Sequence, residues 1–300
     1  MSRQSNKTCF AFALTLLMIA AFAGAQPASQ PASQPARGRG GARMNRKPIN
    51  PALPTLWIIG DSTVLNGQDT GNNGQWGWGN PIASYFDQTK INIQNRALGG
   101  TSSRTFWRDQ WPRIVTEIKP GDFLIMQFGH NDGSAINDNS RARGTIKNNS
   151  DETQEIDNML TGKHEVVHSY GWYLRQFIKD AADKGAVMSI VCSPIPRNGW
   201  RNGTLNPDSY GPIAKAAAEQ MKMPYIDLNG LIIKKYLALG QEKVTNELFP
   251  ENETTHTDWA GAVLNAECVI EGMKEQNLPI TKYLLPDPPK DLKNPMGRAR

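Results

Sequence analysis

The sequence predicts a three-layer α/β fold with a parallel sheet, on the basis of two observations. From about residue 51 onward, short apolar runs typical of buried strands alternate with longer amphipathic stretches typical of helices. Strands that alternate with helices form right-handed βαβ units, which place helices on both faces of a parallel sheet. In such sheets ligands bind outside the carboxyl ends of the strands, so the residues that follow each strand are the candidates for function.

The predicted strands are short, and the predicted helices fill the intervals between them. Strands are predicted at residues 56–60, 91–98, 123–128, 186–192 and 224–228. Helices are predicted at residues 78–87, 107–118, 166–184, 208–221, 231–239 and 259–276. The segment from Asp132 to Lys163 interrupts the alternation, because it is polar and long for a loop in a compact domain. It leaves directly from the third strand, and we therefore expect it to be a binding loop.

The first 50 residues differ in composition from the rest of the chain. Arg3 and Lys7 precede an apolar stretch that ends in small residues, which is the pattern of a secretory signal peptide at residues 1–25. The apolar run is shorter than the roughly 20 residues of a membrane span, so none is expected in the mature chain. Residues 26–50 are rich in proline, glycine and arginine and are predicted to form a disordered linker. The sequence thus predicts a secreted or periplasmic protein with a folded domain at residues 51–285 and a C-terminal tail at residues 286–300.

The formal net charge of +5 comes from the leader and the linker. Residues 1–47 contain 7 bases and no acid, which leaves 26 bases against 28 acids, a net charge of −2, for the remainder. The folded domain therefore has no excess of positive charge to attract nucleic acid. Its two cysteines, Cys192 and Cys268, lie in an apolar strand pattern and a helical pattern, and we expect two buried free thiols, with a disulfide as the alternative.

Ser62 is the candidate nucleophile. It follows the first predicted strand in a tight turn that exposes its hydroxyl. A serine hydroxyl attacks a carbonyl carbon only when a base takes its proton, and imidazole is the usual base. His256 lies in a polar segment with Glu253 three residues before it, and a carboxylate at that spacing is able to orient the imidazole. For this spacing alone, a solvated glutamate and a helix-capping histidine are the alternative interpretation.

Two further turns supply hydrogen-bond donors for the oxyanion of an acyl-transfer reaction. The turn after the second strand contains Gly100, and a glycine turn lets backbone N–H groups approach a ligand closely. The turn after the third strand contains Asn131, whose side-chain amide is a second donor. Each turn is unremarkable by itself. The turns of Ser62, Gly100 and Asn131 each follow a predicted strand, and this common placement indicates that they form one site.

These segments, Gly60-Asp61-Ser62, the Gly100 turn, residues 129–132 and residues 253–256, resemble the four sequence blocks of the SGNH (GDSL-type) hydrolases. Residues 56–273 look most like the rhamnogalacturonan acetylesterase branch. The resemblance implies a flavodoxin-like α/β/α fold with a five-stranded parallel sheet. It makes Ser62 the nucleophile, His256 the base, and the Ser62 N–H, the Gly100 N–H and the Asn131 side chain the oxyanion donors. The family usually has aspartate where this chain has Glu253, so Glu251 and Asp258 are alternatives for the orienting carboxylate.

The resemblance also implies an activity, which is hydrolysis of acetyl esters on a plant-type polysaccharide such as rhamnogalacturonan or another pectin, through an acetyl-serine intermediate. The alternatives are a similar site that acts on xylan, peptidoglycan or lipid esters, and a non-catalytic carbohydrate-binding protein. Arg104, His130 and Arg197 are the candidates for substrate contacts. For the two arginines the reason is that a guanidinium pairs well with a uronate carboxylate. Structural ion pairs are the alternative for the arginines. No metal-ligand spacing and no phosphate-binding loop is found, so no cofactor is expected.

Overall fold

The computed structural model describes residues 48–66 and 70–297. The predicted signal peptide and nearly all of the predicted linker lie outside these residues. Within the described part, a five-stranded parallel sheet is flanked by helices, which confirms the predicted fold class. The strands in chain order are β1 (Thr55–Gly60), β2 (Asn92–Asn95), β3 (Phe123–Gln127), β4 (Thr153–Asp157), β5 (His164–His168), β6 (Met188–Cys192) and β7 (Tyr225–Ile226).

The main sheet has the strand order β2-β1-β3-β6-β7, and all of its neighbouring strands are parallel. Strands β4 and β5 form a separate antiparallel hairpin. The α-helices of the described residues are α1 (Ser103–Asp109), α2 (Trp111–Ile114), α3 (Tyr170–Asp183), α4 (Gly211–Gln220), α5 (Leu228–Leu239), α6 (Gln241–Glu247) and α7 (Trp259–Glu275). The prediction did not include α6.

The core lies on both faces of the sheet, as the alternation of side chains along β1 shows. Leu56 and Ile58 are fully buried in a cluster that includes residues of α5 and α7. Trp57 and Ile59 point the opposite way, into a cluster that includes residues of α1, α3 and α4. Burial of each such side chain contributes about 1.5–3 kcal/mol to folding. Because both faces are covered, β1 is apolar from Leu56 to Gly60, and the polar residues of the site come after it ends.

Two predicted helices are shorter than the sequence pattern indicated. In the predicted helix at residues 78–87, only Ile82–Tyr85 form a short 3-10 helix, which ends where Phe86 becomes extended. The predicted helix at residues 107–118 is divided at Gln110, and α2 begins with proline in its first turn. Proline has no backbone N–H to donate to a preceding turn, so it favours the start of a new helix over the continuation of an old one.

The prediction of a helix at residues 166–184 is wrong at its start, because residues 164–168 are strand β5. Val166 and Val167 are β-branched and pack well in a strand. The helix α3 begins at Tyr170, where the Ser169 hydroxyl oxygen accepts a hydrogen bond from the Trp172 N–H at 3.1 Å. The segment predicted as a binding loop therefore contains strand β4 and the turn that leads to β5.

Other expectations concern the chain ends and the thiols. Cys192 and Cys268 are buried and free, as predicted. Asn50 already belongs to the packed structure, because its backbone N–H donates to the side chain of Asn92 at 2.9 Å. In the C-terminal tail, the carbonyl oxygen of Leu292 accepts a hydrogen bond from the Trp259 ring at 2.6 Å. None of the helices among residues 48–66 and 70–297 is long and apolar enough to cross a membrane.

Candidate active site

Ser62 lies in a tight turn directly after β1, where it is half-buried. Asp61 shapes this turn, since its Oδ1 accepts hydrogen bonds from the backbone N–H of Thr63 at 2.9 Å and from its hydroxyl at 2.7 Å. The turn requires glycine at position 60, because a β-carbon on Gly60 would lie 2.5 Å from the carbonyl oxygen of Gln127. The strand and the turn together hold Ser62 at the carboxyl edge of the sheet.

The imidazole of His256 lies against the Ser62 hydroxyl, with 2.8 Å between Nε2 and Oγ. The next residue, Thr257, anchors the loop that carries His256. Its carbonyl oxygen accepts from the Trp76 N–H at 2.8 Å, and its hydroxyl donates to the Trp76 carbonyl oxygen at 3.0 Å. Helix α7 begins just beyond, so the loop is held on both sides. The fold thus brings into contact a serine and a histidine that are 194 positions apart.

Glu253 faces the other ring nitrogen of His256, with 3.2 Å between Oε2 and Nδ1. Its Oε1 accepts hydrogen bonds from three successive backbone N–H groups, those of residues 254–256, at 2.9, 2.7 and 3.2 Å. Burial acts to raise the pKa of Glu253, but these hydrogen bonds and the imidazole outweigh burial and lower it, so the carboxylate is charged at neutral pH. Of the alternatives, Asp258 instead caps α7, and Glu251 is exposed.

Gln75 also contacts this carboxylate, and the sequence analysis missed it. Its Nε2 donates to Oε2 of Glu253 at 2.7 Å, and its Oε1 accepts from Nδ2 of Asn66 at 2.9 Å. The contact joins residues 178 positions apart, so no local spacing marks it. Through this amide the segment before Trp76 holds the oxygen that faces His256.

The predicted oxyanion donors lie in the Ser62 turn and in the turns that follow the two neighbouring strands. A β-carbon on Gly99 would lie 3.4 Å from Cβ of Ser62, which places the glycine turn directly against the serine. Gly100 has a φ of 81°, a conformation that favours glycine. Among the described residues, the backbone N–H groups of Ser62 and Gly100 donate no hydrogen bond. Asn131 uses one amide hydrogen on the carbonyl oxygen of Thr101 at 2.8 Å and keeps the other for a ligand.

Arg104, predicted to contact substrate, has a different place in the structure. Its side chain is 1% exposed, and its Nε and Nη2 both donate to the carboxylate of Glu165 at 2.8 Å. Its Nη1 donates to the carbonyl oxygens of Ile136 and Gly144 at 2.7 and 2.9 Å. Because the guanidinium is buried and makes four hydrogen bonds within the fold, Arg104 is closed to a substrate. It fastens the loop of residues 134–144 to the hairpin instead.

His130 and Arg197 lie beside the site but differ in access. Both ring nitrogens of His130 are shielded from solvent and have no hydrogen-bond partner in the described part of the chain, and burial lowers the pKa of the ring. Neither ring nitrogen is therefore open to a substrate in this geometry, although the residue as a whole is half-buried, and a substrate contact by His130 stays a prediction. Arg197 is exposed, and its guanidinium donates to the hydroxyl of Thr255, next to His256, and to the carbonyl oxygen of His130 at 3.4 Å. Arg197 is thus placed at the rim of the site, as a substrate contact requires.

The arrangement has the parts of a serine acyl-transfer site. One hydrogen bond connects the Ser62 hydroxyl to the His256 imidazole, and a second connects the imidazole to the Glu253 carboxylate. N–H groups without a described acceptor lie in the serine turn and in the glycine turn beside it, and such groups are able to stabilise an oxyanion. In the part of the chain that the structure describes, no group of three or more His, Cys, Asp or Glu side chains is able to hold a metal ion.

Comparison with known proteins relates this chain to one family. The model of the GDSL-like lipase/acylhydrolase family matches residues 58–262. A rhamnogalacturonan acetylesterase of Emericella nidulans is 30% identical over 222 residues, which are 73% of this chain and 84% of that protein. The probable rhamnogalacturonan acetylesterase YesY of Bacillus subtilis is 32% identical over 236 residues, which are 77% of this chain and 97% of that protein.

Solved structures give the same fold. The crystal structure of the YxiM protein of Bacillus subtilis matches with a TM-score of 0.61 and 26% identity, over 76% of this chain and 58% of that one. A variant of Axe2, an acetyl-xylooligosaccharide esterase of Geobacillus stearothermophilus, matches with a TM-score of 0.51. Its identity is 16% over 73% of this chain and 94% of that one, so this second likeness concerns the fold alone.

Proposed function

Because the chain belongs to the GDSL-like lipase/acylhydrolase family and is an ester hydrolase, we propose that it removes acetyl groups from a plant-type polysaccharide, with rhamnogalacturonan as the substrate. The observation that carries the catalytic part of the proposal is the contact of 2.8 Å between Ser62 Oγ and His256 Nε2, beside N–H groups that have no other described partner. Two relatives named as rhamnogalacturonan acetylesterases, matched over most of their length, support the choice of polymer.

The first half of the reaction transfers the acetyl group to the enzyme. His256 takes the hydroxyl proton of Ser62 as Oγ attacks the ester carbonyl carbon. The carbonyl oxygen becomes an oxyanion, which accepts hydrogen bonds from the N–H groups of Ser62 and Gly100 and from the amide of Asn131. Glu253 stabilises the imidazolium that forms. The bond to the sugar oxygen then breaks, His256 donates its proton to that oxygen, and the sugar leaves with a free hydroxyl.

The second half returns the enzyme to its starting state. A water molecule takes the place of the sugar, and His256 removes one of its protons as the oxygen attacks the acetyl-serine. The same oxyanion donors stabilise the second tetrahedral intermediate, and its collapse returns the proton to Ser62 Oγ. The net reaction consumes one ester and one water and releases acetate and one sugar hydroxyl. No step needs a metal or an organic cofactor.

Acetate release by single-residue variants tests this proposal. Ser62→Ala and His256→Ala should each lower kcat on an aryl acetate by a factor on the order of 10⁴ or more, since each removes a part of a unit that works together. His164→Ala is the matched control, because His164 is exposed on the β4–β5 hairpin. Wild-type protein should release acetate faster from acetylated rhamnogalacturonan than from acetylxylan or peptidoglycan. Full activity in either active-site variant would refute the catalytic assignment, and a preference for xylan or peptidoglycan would refute the substrate.

We further propose that the protein is exported. A basic start, a short apolar segment and a small-residue ending support cleavage near Ala25, and a polymer substrate requires an enzyme outside the cytoplasm. Expression of the full chain in a secreting host and N-terminal sequencing of the product tests this. A mature protein that begins near Gln26 is the expected result, and an uncleaved chain in the cytoplasm would contradict it.

A further inference from the structure

Two arginines that the mechanism does not use lie beside the oxyanion donor Gly100. A β-carbon built onto Gly100 would lie 3.6 Å from Nη1 of Arg141 and 3.9 Å from Nη1 of Arg143. Arg143 also donates from Nη1 to the Gly100 carbonyl oxygen at 2.7 Å and from Nε to the Ser134 hydroxyl at 3.1 Å. Both guanidinium groups therefore lie against the Gly100 turn, which supplies one of the oxyanion donors.

The loop that carries these arginines is held in one conformation. Oδ1 of Asp138 accepts hydrogen bonds from the backbone N–H groups of Ser140, Arg141 and Ala142 at 2.9, 2.6 and 2.8 Å. These bonds, that of Arg141 foremost, lower the pKa of Asp138 to about 2, so it stays charged at neutral pH. The base of the loop is closed by the hydrogen bond from the Gly144 N–H to a carbonyl oxygen at 2.9 Å. The buried guanidinium of Arg104 fastens the same base, as described above.

The charge of the arginine pair is not neutralised by a contact. In residues 48–66 and 70–297, neither Arg141 nor Arg143 has a carboxylate oxygen within 4.0 Å, whereas Arg96, Arg104 and Arg175 each do. Burial, and after it the neighbouring charge of Arg141, lower the pKa of Arg143, while the more distant carboxylates of Asp132, Asp61 and Asp138 act to raise it. The two positive charges repel each other, and an anion bound between them would relieve that repulsion.

Both side chains also keep free donors. The Arg141 side chain and Nη2 of Arg143 make no hydrogen bond to a described residue. Arg141 is exposed and Arg143 is half-buried, so a ligand is able to reach them from solvent. Two guanidinium groups with open N–H donors suit a planar carboxylate, which accepts charge-assisted hydrogen bonds on both oxygens.

We propose that Arg141 and Arg143 form a subsite that binds a uronate carboxylate of the substrate beside the Gly100 oxyanion donor, and that this subsite makes the enzyme selective for acetyl groups on acidic polysaccharides. The inference rests on the proposed function, and it adds the residues that select the substrate. Rhamnogalacturonan alternates neutral and uronate sugars, so an acetylated sugar in it lies on or next to a carboxylate. Neutral xylan chains lack this partner.

A purely structural role is the competing explanation for one of the two residues. Arg143 holds the Gly100 carbonyl oxygen, and on this explanation its loss disturbs the oxyanion donor and lowers activity on every ester alike. Arg141 has no such contact through its side chain. The two explanations therefore differ in whether the substitution changes activity in general or changes the preference between charged and neutral substrates.

The test compares two forms of one substrate. Acetylated rhamnogalacturonan oligosaccharides are assayed with their uronate carboxylates intact and after reduction of those groups to primary alcohols. The measured quantity is the ratio of kcat/KM for the charged form to kcat/KM for the reduced form. Wild type should favour the charged form, and Arg141→Gln and Arg143→Gln should each lower the ratio about 10- to 100-fold, as expected for loss of a charge-assisted hydrogen bond. Arg113→Gln, which removes an exposed arginine of α2, should leave the ratio unchanged.

Salt provides a second readout. For wild type, KM of the charged form should rise with ionic strength, because screening weakens the attraction, and this rise should shrink in the Arg141→Gln variant. A ratio that stays at the wild-type value in both variants would overturn the subsite, even if Arg143→Gln lowers activity on both substrates. A wild-type enzyme with no preference would also overturn it while leaving the esterase assignment intact. Absence of acetate release from both forms would refute the proposed function itself.

Discussion

At the scale of single residues, Glu253 shows how a longer carboxylate side chain orients the imidazole. One oxygen is held by three backbone N–H groups of its own turn, and the other lies between Nδ1 of His256 and the amide of Gln75. The extra methylene is accommodated because the turn and Gln75 hold the carboxylate from two sides. The motif spacing alone left Glu251 and Asp258 open as alternatives, and only the folded loop distinguishes them.

We predict that Glu253→Gln lowers kcat on an aryl acetate by a factor of about 10² to 10⁴, because the neutral amide no longer stabilises the imidazolium or fixes its tautomer. KM should change little, since the substitution does not touch the substrate. Glu251→Gln is the matched control, being exposed in the same segment. Steady-state kinetics of the two variants measures kcat. A wild-type kcat in Glu253→Gln, or an equal loss of kcat in Glu251→Gln, would contradict the role of Glu253 in orienting the imidazole.

At the scale of elements, the sequence predicted those parts of the site that follow apolar strands. Ser62, Gly100 and Asn131 each come after a short buried run, and a parallel sheet gathers such positions at one edge. The β4–β5 hairpin could not be predicted, since Val166 fits a helix pattern as well as a strand until its partner is known. Arg104 was misassigned because burial and pairing with a carboxylate 61 positions away leave no local signal.

Arg104 of α1 joins the β4–β5 hairpin to the loop of residues 134–144. It forms an ion pair with Glu165 of the hairpin and donates to two carbonyl oxygens of the loop, so its removal should destabilise the protein. Burial acts to raise the pKa of Glu165, but Arg104 above all, with Asn158 and Arg108, lowers it to about 2. We predict that Arg104→Gln lowers the free energy of unfolding by about 3 kcal/mol or more, because it removes a buried guanidinium that donates four hydrogen bonds and leaves Glu165 with only Asn158 and Arg108.

Arg108 provides the matched comparison, since it approaches the same carboxylate at 3.2 Å but is 34% exposed. Arg108→Gln should lower the free energy of unfolding by at most about 1 kcal/mol, as is usual for exposed pairs. Urea unfolding of the two variants measures the difference. A loss of similar size in both would show that burial of Arg104 does not matter.

At the scale of the whole molecule, the order of the strands explains the geometry of the site. Strand β1 lies between β2 and β3 in the sheet, so the turn with Ser62 lies between the turns that carry Gly100 and Asn131. This is a point where successive connections leave in opposite directions, and such points open a crevice at the carboxyl edge. His256 lies in the loop before α7, 194 positions after Ser62 in the sequence, and completes the site.

A buried carboxyl beneath the site should make overall stability depend on pH. Burial raises the pKa of Asp132 to about 7, against the hydrogen bonds that Ser103 donates to it. The folded state thus keeps a proton that the unfolded state loses near pH 4. The stabilisation is fully present below about pH 4 and is lost as pH rises toward 7, by at most about 1.4 kcal/mol per pH unit.

We therefore predict that Asp132→Asn gains stability relative to wild type as pH rises from about 4 to 7, because asparagine still accepts from Ser103 and does not ionise. Urea unfolding midpoints of both proteins at several pH values provide the measurement, and their difference removes the contribution of every other group. A difference that stays constant across this range would show that the Asp132 pKa is not raised.

In the proposed mechanism, hydrolysis passes through an acetyl group on Ser62. This intermediate is tested most directly by mixing the enzyme with an excess of an aryl acetate, quenching in acid within the first turnover, and locating the acetyl group by peptide mass spectrometry. We predict a single acetyl group on Ser62 in wild type and none in Ser62→Ala. Acetate release with no acetyl group on Ser62, or with one on another residue that turns over at the catalytic rate, would contradict it.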